Sequence, residues 1–170
     1  MTQADQTPRT PGRPGIVLAA HGTAVPAARA GYAAIEARVR AVHPGAEVVW
    51  AYTSVKIREC LHGRPGAAPS VAEALGLLAA RGVKRAVVQS LHTVPGEEFH
   101  LAERDAAAAA GAGGIERVEI GGPLLSGPKD ADLACAALPS FLPEARRPGE
   151  AVVLICHGTD HAGRVHYEAF

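Results

Sequence analysis

Short apolar runs alternate with helix-like segments along the chain, and this alternation is the feature that most restricts its fold. The run Ile16–Ala20 is uniformly apolar, as expected of a strand that is buried on both faces. A similar run lies within Arg85–Leu91, and segments with helical spacing or helix-capping residues separate such runs. One helix is predicted to begin at Ser70-Val71-Ala72-Glu73, which has the pattern of a capping box, and another after Pro95-Gly96. Residues Ile115–Ile120 alternate between apolar and charged, as expected of an edge strand. Strands that alternate with helices predict an α/β fold, with a parallel sheet of four to five strands flanked by helices.

The same pattern predicts the domain organisation. Residues 1–14 carry three prolines among polar residues and no apolar stretch, which predicts a disordered N-terminal tail. Residues 15–148 hold enough alternating segments for one α/β lobe. Residues 149–170 contain an apolar run, Ala151–Ile155, and then the start of a further helix. We expect this last segment to lead into a second lobe that is absent, as in a truncated chain; a naturally frayed tail is the alternative.

Composition argues against several classes of partner. Lys and Arg total 17, as do Asp and Glu, so no bulk charge attracts nucleic acid or an anionic membrane. No segment reaches the ~18 apolar residues that a membrane span needs. The cysteines Cys60, Cys135 and Cys156 are far apart and lack the spacing of a zinc or redox motif. They are predicted to be small, reduced core residues, as in a cytoplasmic protein.

Histidines follow three of the predicted strands. His21 comes directly after the first, His92 after the third and His157 after the last. Each one alone is typical of a hydrogen-bonded loop residue. The carboxyl ends of parallel strands meet at one edge of the sheet, however, and ligands bind in the crevice beyond that edge. Their shared placement therefore indicates one functional crevice lined by imidazoles.

Five short motifs carry a resemblance to a known family. They fall in the family's order and at similar spacing, and the match runs from about Ile16 to the last residue. The motifs are Ala51-Tyr52-Thr53-Ser54 with Ile57-Arg58, Val88-Gln89-Ser90-Leu91-His92, Pro95-Gly96-Glu97-Glu98-Phe99, Gly122-Pro123-Leu124-Leu125, and His157-Gly158-Thr159-Asp160-His161 with Tyr167. Together they resemble the anaerobic sirohydrochlorin cobaltochelatases of the chelatase superfamily.

The resemblance implies two similar, Rossmann-like α/β lobes with a tetrapyrrole bound between them. It implies a lyase-class chelatase that inserts cobalt(II) into sirohydrochlorin or precorrin-2 during anaerobic cobalamin synthesis. Cobalt(II) is then the substrate metal, and no organic cofactor is expected. The family's metal-binding histidine turn matches His157, whereas its ligands in the second lobe have no counterpart here. His21 stands where the two-lobed form usually has phenylalanine, which is closer to short chelatases that pair two chains. A complete chain of this length is therefore expected to form a homo-oligomer.

The chemistry of insertion suggests roles for these residues. A neutral imidazole binds divalent metals such as cobalt and accepts protons near neutral pH, so His157 is predicted as both metal ligand and catalytic base. Glu98, which matches a family glutamate on the side of the cleft, is the predicted catalytic carboxylate. A glutamate at a helix start is also explained by the helix dipole alone. The predicted substrate-binding residues are His21, Ser90, His92 and His161.

Other functions stay open at this point. His21-Gly22 resembles part of the Arg-His-Gly signature of histidine phosphatases, but Ala20 stands where that chemistry needs an arginine. A non-catalytic carrier of metal or tetrapyrrole that keeps the ligands of the first lobe is a second alternative. An inactive fragment of a two-lobed chelatase is a third. A measurement of catalytic turnover distinguishes the enzyme from the carrier and from the inactive fragment.

Overall fold

The protein is a four-stranded, all-parallel sheet with helices on both faces. The computed structural model describes residues 12–110, 114–142, 144–147, 149–153, 155, 158 and 160–168. The strands are β1 (Gly15–Ala20), β2 (Glu47–Tyr52), β3 (Arg85–Ser90) and β4 (Arg117–Gly121). The helices are α1 (Arg29–Val42), α2 (Val55–Leu61), α3 (Val71–Ala80), α4 (Glu97–Ala109), α5 (Pro128–Ala137) and α6 (Arg164–Glu168), with a 3-10 turn at Leu138–Phe141. The predicted α/β class and parallel sheet are confirmed.

The strand order is β2-β1-β3-β4, so β1 is a central strand with parallel neighbours on both sides. Ile16 lies opposite Val48 of β2 and Val87 of β3. This order explains the uniformly apolar β1, in which Val17, Leu18 and Ala19 have no exposed surface. β4 lies at the edge, in agreement with its alternation of apolar and charged residues.

Each face of the sheet packs against its own helices. On one face the core joins strand residues such as Val17 and Val88 to Leu75 and Leu78 of α3 and to Ala102 of α4. On the other face Leu18 and Val48 pack with partly buried Val39 of α1 and with Trp50. The Trp50 ring stacks on Tyr32 of α1 at a centroid distance of 4.9 Å, and its indole N–H donates to Glu36 Oε2 over 2.7 Å. These contacts fix the sheet between helical layers.

Local sequence signals set several helix ends. Ser70 caps α3, and its hydroxyl accepts from the Glu73 amide while the Glu73 carboxylate accepts from the Ser70 amide, which is the predicted capping box. α4 begins directly after Gly96 and carries Glu97 and Glu98 in its first turn, where the helix dipole favours negative charge. No helix of the described residues is long and apolar enough to cross a membrane.

Two predictions need correction. In the described part of the run Ala151–Ile155 there is no fifth strand: Val153 is 79% exposed and Ile155 92% exposed. An apolar run becomes a strand only where a neighbouring strand completes its backbone hydrogen bonds, and β4 receives no such neighbour in the described chain. Cys60 and Cys135 are not in a disulfide, as predicted, but both are exposed rather than in the core. Residues 1–11 of the predicted tail, and Cys156, lie outside the described residues.

Candidate functional site at the carboxyl ends of the strands

A cleft opens beyond the carboxyl ends of β1, β2 and β3, in two adjoining compartments. The first, of about 650 Å³, is lined by residues from the end of β1, the β3–α4 connection, the start of α4 and the C-terminal segment: His21, His92, Thr93, Val94, Gly96, Glu97, Glu98, Phe99, Gly158, Asp160 and Tyr167. The second, of about 600 Å³, is lined by residues from the ends of β1 and β2, from α2 and from α4: His21, Thr53, Ser54, Val55, Lys56, Ile57, Glu97, Glu98, Leu101 and Arg104. His21, Glu97 and Glu98 line both compartments, so they form the boundary between them. The cleft lies where the parallel topology predicts a crevice.

His21 and Glu98 meet at this boundary. The Nδ1 atom of His21 lies 3.6 Å from Oε1 of Glu98, and their side chains are 57% and 34% exposed. The other oxygen of this carboxylate, Glu98 Oε2, is buried and has no hydrogen-bond partner among the described residues. Removing a carboxylate oxygen from water without a donor costs free energy. The pair therefore presents to the cleft a carboxylate that the described residues do not fully satisfy.

His92 is held by hydrogen bonds at both ring nitrogens. The Thr53 hydroxyl lies 3.3 Å from the Ala20 carbonyl oxygen, to which it donates, and 3.0 Å from His92 Nε2. Since this hydroxyl has one proton, it accepts from an Nε2–H on His92. The Ser90 hydroxyl then donates to Nδ1 over 2.9 Å and accepts the backbone N–H of His92 over 3.3 Å. A neutral His92 with its proton on Nε2 satisfies the whole network, so its ring ties the ends of three strands together.

The surroundings of His92 favour this neutral form. Burial lowers its pKa below the ordinary histidine value; the carboxylate of Glu98 opposes the change, and the neighbouring imidazole of His21 adds to it. Thr53 and Ser90, which contact the ring, are neutral and almost completely buried. His92 thus serves to position the strand ends, and both its nitrogens are already occupied in the absence of any ligand.

This arrangement predicts how stability depends on pH. Between the lowered folded-state pKa of His92 and the ordinary value of about 6.5, the unfolded chain binds a proton that the folded chain does not. The contribution of His92 is therefore fully present above about pH 6.5 and is lost as the pH falls. Between about pH 7.5 and 5.5, the urea-unfolding free energy of the His92→Gln variant should fall less steeply than that of the unchanged protein. The same replacement at the exposed His43 is the matched control; a slope for the His92 variant equal to that of the unchanged protein would contradict the role of His92.

The structure brings some of the predicted site residues together and not others. His21, His92 and Glu98 line the cleft. Ser90 is 4% exposed, and its hydroxyl holds the His92 ring in place through a hydrogen bond to Nδ1. His161 lines neither compartment; its Nδ1 accepts the Gly163 N–H over 3.1 Å, and its ring centroid lies 5.2 Å from that of His100.

His157 lies outside the described residues, so its predicted roles stay predictions. Its sequence neighbours Gly158 and Asp160 line the first compartment. Within the described ranges, no three His, Cys, Asp or Glu side chains come together in a way that could hold a metal ion. His21 and Glu98 supply two candidate ligand groups, and a further ligand has to come from elsewhere.

Several cleft residues were missed by reasoning from the sequence alone. Thr53 follows β2 as His21 follows β1, so the strand-exit argument could have identified it. Lys56 and Arg104 carry no such signal, because they lie on helices that reach the cleft only through tertiary packing. Asp160 was part of a recognised motif, but no separate role was assigned to it.

The sequence matches a known family and a curated protein. The model of the family "Cobalt chelatase (CbiK)" matches residues 14–170. The chain is 37% identical over 155 residues to a sirohydrochlorin cobaltochelatase, CbiKC, of Nitratidesulfovibrio vulgaris; the match covers 91% of this chain and 55% of that protein. The chain thus spans about half the length of this curated relative.

The fold also has a counterpart among solved structures. A cobalamin (vitamin B12) biosynthesis CbiX protein from Marinobacter aquaeolei VT8 superposes with a TM-score of 0.50 at 18% identity, over 75% of this chain and 95% of that protein. At this identity the likeness concerns the fold alone. The family match, by contrast, spans the sheet, the cleft and the C-terminal segment, and it shows that the chain belongs to the cobalt chelatase (CbiK) family.

Proposed function

We propose that this chain is a sirohydrochlorin cobaltochelatase, a lyase-class enzyme that inserts cobalt(II) into a reduced tetrapyrrole for cobalamin synthesis. Its family and the name of its 37% identical relative support the reaction. The observation that carries the proposal is the buried Oε2 of Glu98, which has no hydrogen-bond partner among the described residues and lies beside His21 in the cleft. We further propose, as extensions of the same function, a cytoplasmic location, no organic cofactor and assembly into homo-oligomers.

Metal insertion needs a metal ligand and proton acceptors. When cobalt(II) enters the macrocycle, two pyrrole N–H protons leave and the metal–nitrogen bonds take their place. Glu98 is the proposed acceptor for one proton, because its carboxylate stands on the boundary of the cleft, within reach of a bound macrocycle. His157 is the proposed metal ligand and, once the metal has passed to the macrocycle and freed the imidazole, the acceptor of the second proton. His21, on the boundary of the cleft, is proposed to contact the substrate.

The function is tested by supplying the purified chain with sirohydrochlorin and cobalt(II) under anaerobic conditions and following the absorbance change of metallation. We expect cobalt insertion well above the rate without protein. Stoichiometric binding of cobalt or sirohydrochlorin without acceleration would instead indicate a carrier. Absence of both binding and acceleration would overturn the proposal. The experiment also separates the enzyme from an inactive fragment, because the chain corresponds to about half of its relative.

Glu98→Gln provides a sharper test of the carboxylate. The amide keeps the size of the side chain but cannot accept the proton, so we expect insertion to slow about 100-fold. Cobalt binding, for which His157 is the proposed ligand, should be largely kept. Glu97→Gln is the matched control, since Glu97 stands in the same first turn of α4 and experiences the same helix dipole. Equal slowing in both variants would show that negative charge at the helix end matters, and not proton transfer at Glu98.

A further inference from the structure

Charged side chains are distributed unevenly between the two compartments. Among the described lining residues, the first compartment has the carboxylates of Glu97, Glu98 and Asp160 and no Lys or Arg. The second shares Glu97 and Glu98 but adds Lys56 from α2 and Arg104 from α4. The cleft is therefore acidic on the side of the C-terminal segment and carries its cations on the opposite side.

Lys56 and Arg104 differ from most arginines of the described chain in having no partner. The Arg58 guanidinium, in the same helix as Lys56, donates to the Tyr52 carbonyl over 2.6 Å and to the Thr53 carbonyl over 2.9 Å. Arg29 donates to the Pro65 carbonyl over 2.6 Å. Within the described ranges, Lys56 and Arg104 form neither an ion pair nor a hydrogen bond, although both are exposed at the cleft. Their charges are available to an anionic ligand.

Apolar side chains accompany these cations. Val55, Ile57 and Leu101 line the same compartment, and Val55 is 49% exposed. An apolar surface next to two free cations suits a ligand that has a flat hydrophobic body and carboxylates at its rim. The acidic boundary formed by Glu97 and Glu98 repels such carboxylates from the first compartment, which favours one orientation of the ligand.

We propose that the second compartment is the subsite that holds acetate and propionate carboxylates from one edge of the tetrapyrrole, and that Lys56 and Arg104 bind them. This inference rests on the proposed function for the identity of the macrocycle. It names two residues that distinguish a polycarboxylate macrocycle from an uncharged one. It also places the ring, with one edge of its carboxylate-bearing rim toward α2 and α4 and its metal-accepting centre near the boundary residues His21 and Glu98.

The test measures binding of cobalt-free sirohydrochlorin to the full chain by absorbance or fluorescence titration. The double variant Lys56→Glu/Arg104→Glu should bind about tenfold more weakly, since two exposed attractive charges become repulsive. The matched control is Arg85→Glu/Lys129→Glu, which makes the same change in net charge at exposed positions that line neither compartment. Its affinity should stay within about twofold of the unchanged protein.

Salt dependence provides a second measurement that a loss of folding does not mimic. Binding to the unchanged protein should weaken as salt rises, and the neutral variant Lys56→Met/Arg104→Met should show a smaller dependence.

Equal affinities in the charge-reversed variant and the unchanged protein, while cobalt insertion persists, would overturn the subsite and leave the proposed function intact. Sirohydrochlorin binding that needs both cations, without any cobalt insertion, would support the subsite and overturn the proposed function. No binding of the macrocycle by the unchanged protein would overturn the subsite.

Discussion

Replacing His157 by alanine is expected to abolish cobalt insertion, with a fall in rate of at least about 100-fold. The reason is that one neutral imidazole is proposed to act both as ligand for a borderline divalent metal and as proton acceptor. Two sequence neighbours, Gly158 and Asp160, line the acidic compartment, and Gly158 has a φ of +75°, a backbone conformation suited to a tight turn. The measurement is the initial rate of metallation with sirohydrochlorin and cobalt(II), alongside cobalt binding by calorimetry.

His161→Ala is the matched control for this variant. It removes an imidazole from the same segment, yet His161 lines neither compartment of the cleft. We expect it to keep insertion within a few-fold of the unchanged protein. Near-normal turnover by the His157 variant would rule out this residue as the essential ligand. Comparable losses in both variants would mean that the segment as a whole, and not one imidazole, supports the reaction.

Gly22→Ala is expected to cost about 3 kcal/mol of folding stability. Gly22 has a φ of +96°, and a Cβ built on it lies 2.7 Å from Cγ of Tyr52 and 3.0 Å from Cγ2 of Ile57. Tyr52 is 4% exposed, so its ring has little room to move aside. Positive φ contributes about 1–2 kcal/mol of the loss and overpacking contributes the rest. Urea unfolding measures the total.

Gly63→Ala separates these two contributions. Gly63 also has a positive φ, of +68°, but nothing lies within 4 Å of a Cβ at that position. The Gly63→Ala variant should therefore lose only the folding free energy that the positive φ costs, about 1–2 kcal/mol. If the Gly22 variant is as stable as the Gly63 variant, the side chains of Tyr52 and Ile57 move aside at little cost in free energy. Because Gly22 follows His21 directly, the clash should also shift that imidazole away from Glu98.

Most of the fold was predictable because its signals are local. The apolar run Ile16–Ala20 indicated a strand buried on both faces, and β1 is the central strand. The alternation in Ile115–Ile120 indicated an edge strand, and β4 lies at the edge. The Ser70 capping box and the glycine before α4 located two helix starts within a residue. Hydrophobic periodicity and helix caps involve residues that are close together in sequence, so they can be recognised without knowing the tertiary structure.

The remaining features depend on tertiary packing. The run Ala151–Ile155 has the composition of a strand, but pairing with a neighbour decides whether a strand forms, and no local pattern encodes that neighbour. The strand-exit argument placed His21 and His92 at one edge of the sheet. It could not show that Thr53 and Ser90 occupy both nitrogens of His92, because those bonds depend on the strand order. Lys56 and Arg104 converge for a similar reason, through the packing of α2 and α4.

The strand order also has a consequence for how the site forms during folding. β1 pairs with β2, which is close in sequence, and with β3, which lies about 70 residues further along the chain. Contacts between such distant segments form late, since the intervening chain must first be closed into a loop. The bond from His92 to Thr53, and the approach of Glu98 to His21, require β3 to have joined β1. The site is therefore completed by the same event that completes the centre of the sheet, so an intermediate without β3 in place has no site for its ligands.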